Sequence, residues 1–308
     1  MGVVGAAPYN KIRRLADTII VNCPLSIYKG GIVMQYTEIS FPGLGFQFNP
    51  GRMLDLGFFQ INYYGLIIAI GLALSAIYGL RRCKQFGFKQ DDVIDGALLI
   101  IPFAVICTRL YYCAFKWEHY KDNLISILYI WEGGLAIYGG VIGAFVGTVA
   151  YCLYKKLSVL AAFDMVGVSF LIGQMIGRWG NFFNREAFGA ETDSFLRMGL
   201  YNTATKAWEY HHPTFLYESL WNLAGFVILH FASKKRQYDG QIALGYVAWY
   251  GLGRAIIEGL RTDSLYWGQF RISQVVALVS FILAGGMLLF QAFRKHDRSN
   301  LYVNRISE

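Results

Sequence analysis

The sequence predicts an all-α integral membrane protein of about seven transmembrane helices, with its N-terminus outside and its C-terminus in the cytoplasm. Three observations predict it. Apolar runs of about 20 residues, the length that crosses a hydrocarbon core, recur along the chain. Of the 308 residues 55% are hydrophobic and only 16% charged, where soluble domains carry roughly 25% charge. Lys and Arg gather in short clusters between the apolar runs and are denser in alternate loops, the bias that cytoplasmic loops show.

Residues 1–54 form an N-terminal extension to which no element is assigned. KIRRL followed by TIIVNCPL fits a signal peptide poorly, and FPGLGFQFNPG, rich in Gly and Pro, reads as a loop or interfacial segment. A polytopic domain covers 55–295, with spans expected near 58–80, 93–115, 133–153, 160–177, 214–232, 241–260 and 272–293. The fourth and sixth are the weakest, interrupted by Asp164, Gln174, Arg254 and Glu258. Residues 296–308 are a cytoplasmic tail. The basic loops RRCKQFGFK, YKK, SKKR and FRKHDR fall on the cytoplasmic side, leaving 116–131, 178–213 and 261–271 outside.

The net charge of +8 is distributed over these loops and makes no continuous basic face, so no nucleic-acid partner is expected. The five cysteines lack CxxC spacing, which argues against a disulfide framework or thiolate metal site. There is no HExxH, and the adjacent His211 and His212 would point to different sides of a regular element. Neither a metal nor a cofactor is implied.

Charged side chains within a membrane cost about 2.5 to 3.5 kcal/mol each on insertion scales, so they pair or serve a site. Arg109, Asp164, Glu218, Arg254 and Glu258 fall in this class. Tyr250, Arg254 and Glu258 repeat at i, i+4 and i+8 and share one helical face; an ion pair that merely lets the helix cross would also explain them. The block GQMIGRWGNFFNREAFG packs Arg178, Asn181, Asn184, Arg185 and Glu186 among Gly177, Gly180 and Gly189. Forked and amide donors beside glycines suit a phosphate or carbonyl, while a glycine-capped helix end followed by a polar loop is the bland alternative. HHPTFLYE opens the fifth span with His212 beside a proline, a position more often structural than catalytic. In EGGLAIYGGVIGAFVG the glycines read as helix-packing positions. Tyr63, Tyr64 and Tyr138 are interfacial aromatics or phenols facing a cavity.

NYYG, GGLAIYGGVIG, GRWGNFFNREAFG, HPTFLYE and YGLGRAIIEGLR, in that order, resemble the bacterial prolipoprotein diacylglyceryl transferases over about residues 55–293. The resemblance implies transfer of the sn-1,2-diacylglyceryl group from phosphatidylglycerol to the lipobox cysteine thiol of a prolipoprotein, forming a thioether and releasing glycerol phosphate. It implies a multi-pass protein of the bacterial cytoplasmic membrane whose partners are phosphatidylglycerol, prolipoproteins and the lipid bilayer. Carried over residue by residue, it puts Arg178, Asn181, Glu186, Arg254, Glu258, Tyr250, Tyr64 and Tyr138 in the catalytic set. Arg178 and Arg254 would also hold the headgroup, with Gly189, His212, Arg109 and Glu218 in the binding set. Many members have a histidine where this chain has Tyr138. A phenol, with a reference pKa of about 10, is a poor base near pH 7, so either Tyr138 only hydrogen-bonds the headgroup or another group favours the thiolate. A transporter for an anionic solute or lipid, lined by Arg109, Arg178 and Arg254, is the alternative, and it is weakened by the lack of an internal repeat. A scaffold that binds lipid without chemistry is a third reading.

Overall fold

The computed structural model describes residues 36–57, 60–130, 134–262, 266–267 and 269–306; KIRRL, TIIVNCPL and Cys23 lie outside the described residues. Seven long helices follow one another: α1 (Tyr63–Arg82), α2 (Gln90–Phe115), α3 (Ile137–Tyr154), α4 (Val159–Asn184), α5 (Thr214–Ser233), α6 (Gln241–Ile257) and α7 (Ile272–Ala292). Six of them, all but the 17-residue α6, are long and apolar enough to cross a membrane. Their outward side chains fit that setting: α7 alone exposes Val276, Ile282, Leu283 and Leu289. The chain is a multi-pass membrane protein.

Helix limits follow local chemistry. Asn62 caps α1, its side-chain oxygen accepting from the Tyr64 N–H at 2.8 Å. Asp91 and Asp92 sit in the first turn of α2, where the helix dipole favours negative charge. Gly87, with φ +89°, ends the turn that follows α1. The main departure among the helices is α4, which continues to Asn184 rather than stopping near 177, so Arg178 and Asn181 lie on a helix and not in a loop. Glycines explain the extension. A Cβ built on Gly173, Gly177 or Gly180 would lie 3.0 Å from Ser75 Oγ, 3.2 Å from Ile68 Cδ1 and 2.8 Å from the Tyr64 ring. These glycines are the seam along which α4 packs on α1, not the end of the helix.

The expectation of an all-α chain is corrected by a four-stranded antiparallel sheet, in which β1 (Tyr36–Phe41), β2 (Phe46–Phe48), β5 (Met198–Asn202) and β6 (Ala207–His211) run in the order β2-β1-β5-β6. A small hairpin, β3 (Met53–Asp55) and β4 (Gln60–Asn62), leads into α1. The central pairing joins Ile39 to Leu200, both fully buried. Short strands so far apart in sequence leave no periodicity to read. Part of the N-terminal extension is therefore built into the fold.

Contacts divide the described chain into two units, with the division inside α4. The first, residues 89–162, is the α2/α3 hairpin and its connecting loop. A Cβ on Gly143 would lie 2.6 Å from Cys107 Cβ, and one on Gly147 3.3 Å from Phe103, so the glycines of α3 serve close packing.

The second unit holds α1, the rest of α4, α5 to α7, the sheet and the tail. One apolar cluster joins Val168, Leu171, Leu229 and Ile242; another seats the sheet on the helix ends through Tyr36, Ile39, Phe182, Met198, Leu200 and Phe215. Asp164, fully buried, serves the fold: Oδ2 accepts from the Gly240 N–H at 2.9 Å, and Oδ1 from Ile242 and Ala243 at 2.9 and 2.8 Å. It is an N-cap for α6 supplied by α4. Asp164→Ala strands three buried donors and is expected to destabilise the protein by on the order of 3 kcal/mol. Thermal unfolding in detergent reads this as a lower midpoint, with Asp164→Asn falling between the two; an unchanged midpoint would refute the capping role.

Candidate functional site

Four segments of the second unit bring opposite charges together. Arg178 projects from α4, Glu218 from α5, Arg254 from α6, and Glu258 and Arg261 from the turn that follows α6. Arg178 Nη2 lies 2.6 Å from Glu218 Oε2, while Arg254 Nη1 and Arg261 Nη1 each lie 3.2 Å from Glu218 Oε1. Arg254 also reaches back along its own helix, placing Nη2 2.6 Å from Glu258 Oε2. Arg271 donates to the Glu258 backbone oxygen. One carboxylate thus gathers three guanidinium groups, and a second holds the central one.

Burial differs across the group. Glu218 and Glu258 are 4% and 1% exposed, whereas the Arg178 and Arg254 side chains retain 22% and 17%. The carboxylates are internal, and the two arginines present the open edge. Arg178 and Arg254 therefore turn part of their guanidinium groups outward while Glu218 holds them from within. Such an edge of fixed cationic donors is suited to receive an anion. Guanidinium forks match the paired oxygens of a phosphodiester.

Aromatic packing holds Arg254 in register with Glu218. The indoles of Trp221 on α5 and Trp249 on α6 stack at 4.5 Å. Each donates to the other's backbone carbonyl, at 3.0 and 2.9 Å. Gly225 and Gly253 lie directly against these rings, where a Cβ would collide with an indole nitrogen. On the other side, Trp179 Nε1 donates to Ser219 Oγ at 3.2 Å, and Ser219 donates to Met175 O at 2.9 Å, tying α4 to α5 beside Glu218.

The loop after α4 forms a second polar group. Asn181 and Asn184 donate to Glu186 Oε1 at 2.9 and 3.3 Å. Arg185 and Ala187 both have positive φ, near +55° and +57°, a costly conformation for residues with a Cβ that this packing enforces. Arg185 is buried and donates to Asn49 Oδ1, Pro50 O and Phe183 O. Burial, and then the nearby charge of Arg52, push its pKa down to about 10, which leaves it cationic at neutral pH. Burial also lowers Arg52, with Glu186 opposing the shift.

Several expected site residues have roles within the protein. Gly189 is a point of close approach: a Cβ there would lie 2.7 Å from His212 Cβ and 2.8 Å from Leu260 O. Its N–H donates to His212 O at 2.9 Å, and the Ala190 N–H donates to Leu260 O at 2.7 Å, so this strip joins the 186–190 loop to the end of α6. His212 Nδ1 lies 3.3 Å from Tyr217 Oη. Tyr64 packs its ring on Gly180, and Tyr250 stacks on Tyr246 at 6.0 Å. Arg109 and Tyr138 belong to the first unit. Arg109 is buried and donates to the carbonyls of Ser126, Ile127 and Gly134, with its guanidinium over the Tyr120 ring, an arrangement that organises the loop between α2 and α3. Tyr138 is half-exposed in the first turn of α3.

Arg261 escaped the sequence reading, which left it in an outer loop. Its signal was present: it lies three residues after Glu258 and seven after Arg254, a spacing that keeps it on the same helical face.

Residues 52–290 match the family model described as prolipoprotein diacylglyceryl transferase. Among curated proteins, the chain is similar to the phosphatidylglycerol–prolipoprotein diacylglyceryl transferase of Listeria monocytogenes, 41% identical over 244 residues covering 77% of this chain and 88% of that protein. It is likewise similar to proteins of the same description from Limosilactobacillus reuteri, 40% identical over 260 residues (82% and 94% of the two chains), and from Lysinibacillus sphaericus, 38% identical over 260 residues (80% and 94%).

Proposed function

The chain belongs to the prolipoprotein diacylglyceryl transferase family, and on that premise we propose that the Arg178/Arg254/Arg261 cluster around Glu218 is where phosphatidylglycerol surrenders its diacylglyceryl group. The protein is a transferase of lipoprotein maturation: it moves the sn-1,2-diacylglyceryl group from phosphatidylglycerol to a prolipoprotein cysteine. In the reaction the cysteine sulfur attacks the sn-3 carbon of the lipid, a C–S bond forms, and the C–O bond to phosphate breaks with its electron pair leaving on glycerol phosphate. The thiol proton ends on the departing glycerol phosphate, so that atoms and charge balance. The leaving phosphate gains negative charge as the bond breaks, so donors fixed near it stabilise the transition state more than the ground state.

The partly exposed guanidinium groups of Arg178 and Arg254, both held on the buried Glu218, are the observation that carries this assignment. In it Arg178 and Arg254 hold the phosphate, and Glu218, Glu258 and Arg261 fix their forks. Asn181 and Glu186, on the same polar face as Arg178, line the headgroup side with Tyr64 and Tyr250. Gly189 and His212 set the close packing of the 186–190 loop and support the site through the backbone. Arg109 shapes the loop before α3, and Tyr138 in the same unit acts as a hydrogen-bonding phenol rather than as the base.

The setting we propose is the bacterial cytoplasmic membrane, with seven spans, the N-terminus outside and the site facing the outer leaflet. The density of Lys and Arg in alternate loops supports the orientation. For α6, the turn Glu258–Leu260 extends its 17 residues, and Glu218 from α5 together with Glu258 neutralises Arg254, which removes the main cost of a polar span. The second substrate is a prolipoprotein presenting a lipobox cysteine, and no nucleic acid takes part.

Purified protein in phosphatidylglycerol nanodiscs, given a lipobox peptide, should yield the diacylglyceryl-cysteine peptide by mass spectrometry. Absence of that product under conditions where a Lysinibacillus relative makes it would refute the assignment. In the same assay Tyr138→Phe should keep its rate within about threefold and its pH profile unchanged, because a neutral phenol gains little as a base near pH 7. A drop of about a hundredfold in Tyr138→Phe, regained in Tyr138→His, would instead make position 138 the proton acceptor.

A further inference from the structure

The sheet carries an apolar rim that the reaction does not use. Leu44, Phe46 and Phe48 around the β1–β2 turn are 46%, 60% and 40% exposed, and Phe195 is 64% exposed. They gather around one turn. Phe195 lies against Gly43, where a Cβ would be 2.9 Å from its ring, and Phe46 is the cross-strand partner of Phe41. On β2 the two phenylalanines point to one side, while Gln47 between them donates to Glu38 on the other at 3.0 Å.

This rim packs, through one buried ring, on the end of a membrane-spanning helix. Phe48 packs on Phe182 at 5.7 Å and Phe41 on the same ring at 6.4 Å. Phe182 lies in the last turn of α4, next to Trp179, which is itself 42% exposed and 5.9 Å from Phe182. A line of aromatic groups therefore runs from a helix end onto the sheet. Exposed Phe and Leu are disfavoured in water, whereas aromatic side chains at the level of the headgroups are favoured.

We propose that the Leu44/Phe46/Phe48/Phe195 rim is a membrane-interface anchor, seated among phospholipid headgroups and upper acyl chains at the end of α4 from which the 185–190 loop departs. It ties the sheet to the bilayer surface at the same depth as that helix end. The occupant is phospholipid, because the rim lies beside the exposed Trp179 at the end of a helix long and apolar enough to cross a membrane and its one polar pair, Gln47 with Glu38, turns away.

The test is photo-crosslinking of the full chain in nanodiscs of phosphatidylglycerol and phosphatidylcholine, with benzoyl-phenylalanine in place of Phe46 or Phe195 and, as control, in place of the exposed Lys206 at the β5–β6 turn. Transferase activity of each variant certifies the fold. Lipid adducts at 46 and 195 at least fivefold above those at 206 are expected. The anchor is overturned by lipid adducts no higher than the control, by adducts to residues 1–35 of the same chain, or by adducts to a second copy or to the lipobox peptide.

Discussion

Replacing Arg254 with alanine is expected to lower kcat/KM for diacylglyceryl transfer by about 10²- to 10³-fold, the range lost when one fixed donor to a developing oxyanion is removed. Arg254 is the hinge of the cluster, with Nη1 on Glu218 and Nη2 on Glu258. Its removal takes a donor from the open edge and also leaves Glu258, 1% exposed, without its cation. The two effects separate in measurement. Arg254→Lys restores charge but not the fork, so it should regain stability while staying at least about tenfold slow. Initial rates with saturating lipobox peptide, beside thermal midpoints, decide the matter: an alanine variant that folds and turns over at the parental rate would remove Arg254 from the chemistry.

How far the site could be read from the sequence depended on the separation of its parts. Arg254 and Glu258 were legible because i, i+4 spacing on a helix dictates their contact, which the structure places at 2.6 Å. Glu218 could be flagged as an intramembrane charge, but its convergence with Arg178, Arg254 and Arg261 depends on how three helices pack, and no local pattern encodes that. Asp164 looked equally suspicious by composition, yet its oxygens cap α6; a buried charge announces a partner without saying whether that partner is a ligand or a helix end. The same limit applies to Arg109, whose donors go to loop carbonyls. Among the elements, all seven long helices were legible as apolar runs, the fourth and sixth least so because of Asp164, Gln174, Arg254 and Glu258. The sheet did not, because β1 and β5 are separated by more than half the chain and their pairing is settled by the apolar seat at Phe182 and Phe215 rather than by alternation.

Glu218→Gln is the substitution that most directly tests what the internal carboxylate does. Truncating Glu218 to alanine would leave Arg178, Arg254 and Arg261 facing one another, a loss of about 3–5 kcal/mol that could unfold the protein. Glutamine keeps the shape and one acceptor oxygen. On the proposed assignment Glu218 competes with the substrate phosphate for the same forks, so the headgroup would be held moderately in the ground state and more strongly as charge develops on leaving. With the carboxylate neutralised, the freed guanidinium groups should grip the intact phosphodiester more tightly. Binding that is uniform, or stronger in the ground state, does not accelerate the reaction. Glu218→Gln is therefore expected to lower KM for phosphatidylglycerol several-fold and kcat by about tenfold or more, a split that a purely structural role would not produce. Kinetics across a range of phosphatidylglycerol mole fractions, at temperatures well below the unfolding midpoint of the variant, would reveal it. A raised KM with unchanged kcat would mean that Glu218 only holds the arginines in place. The double variant Glu218→Gln with Arg261→Gln should return KM toward the parental value, since it removes one of the cations that Glu218 balances.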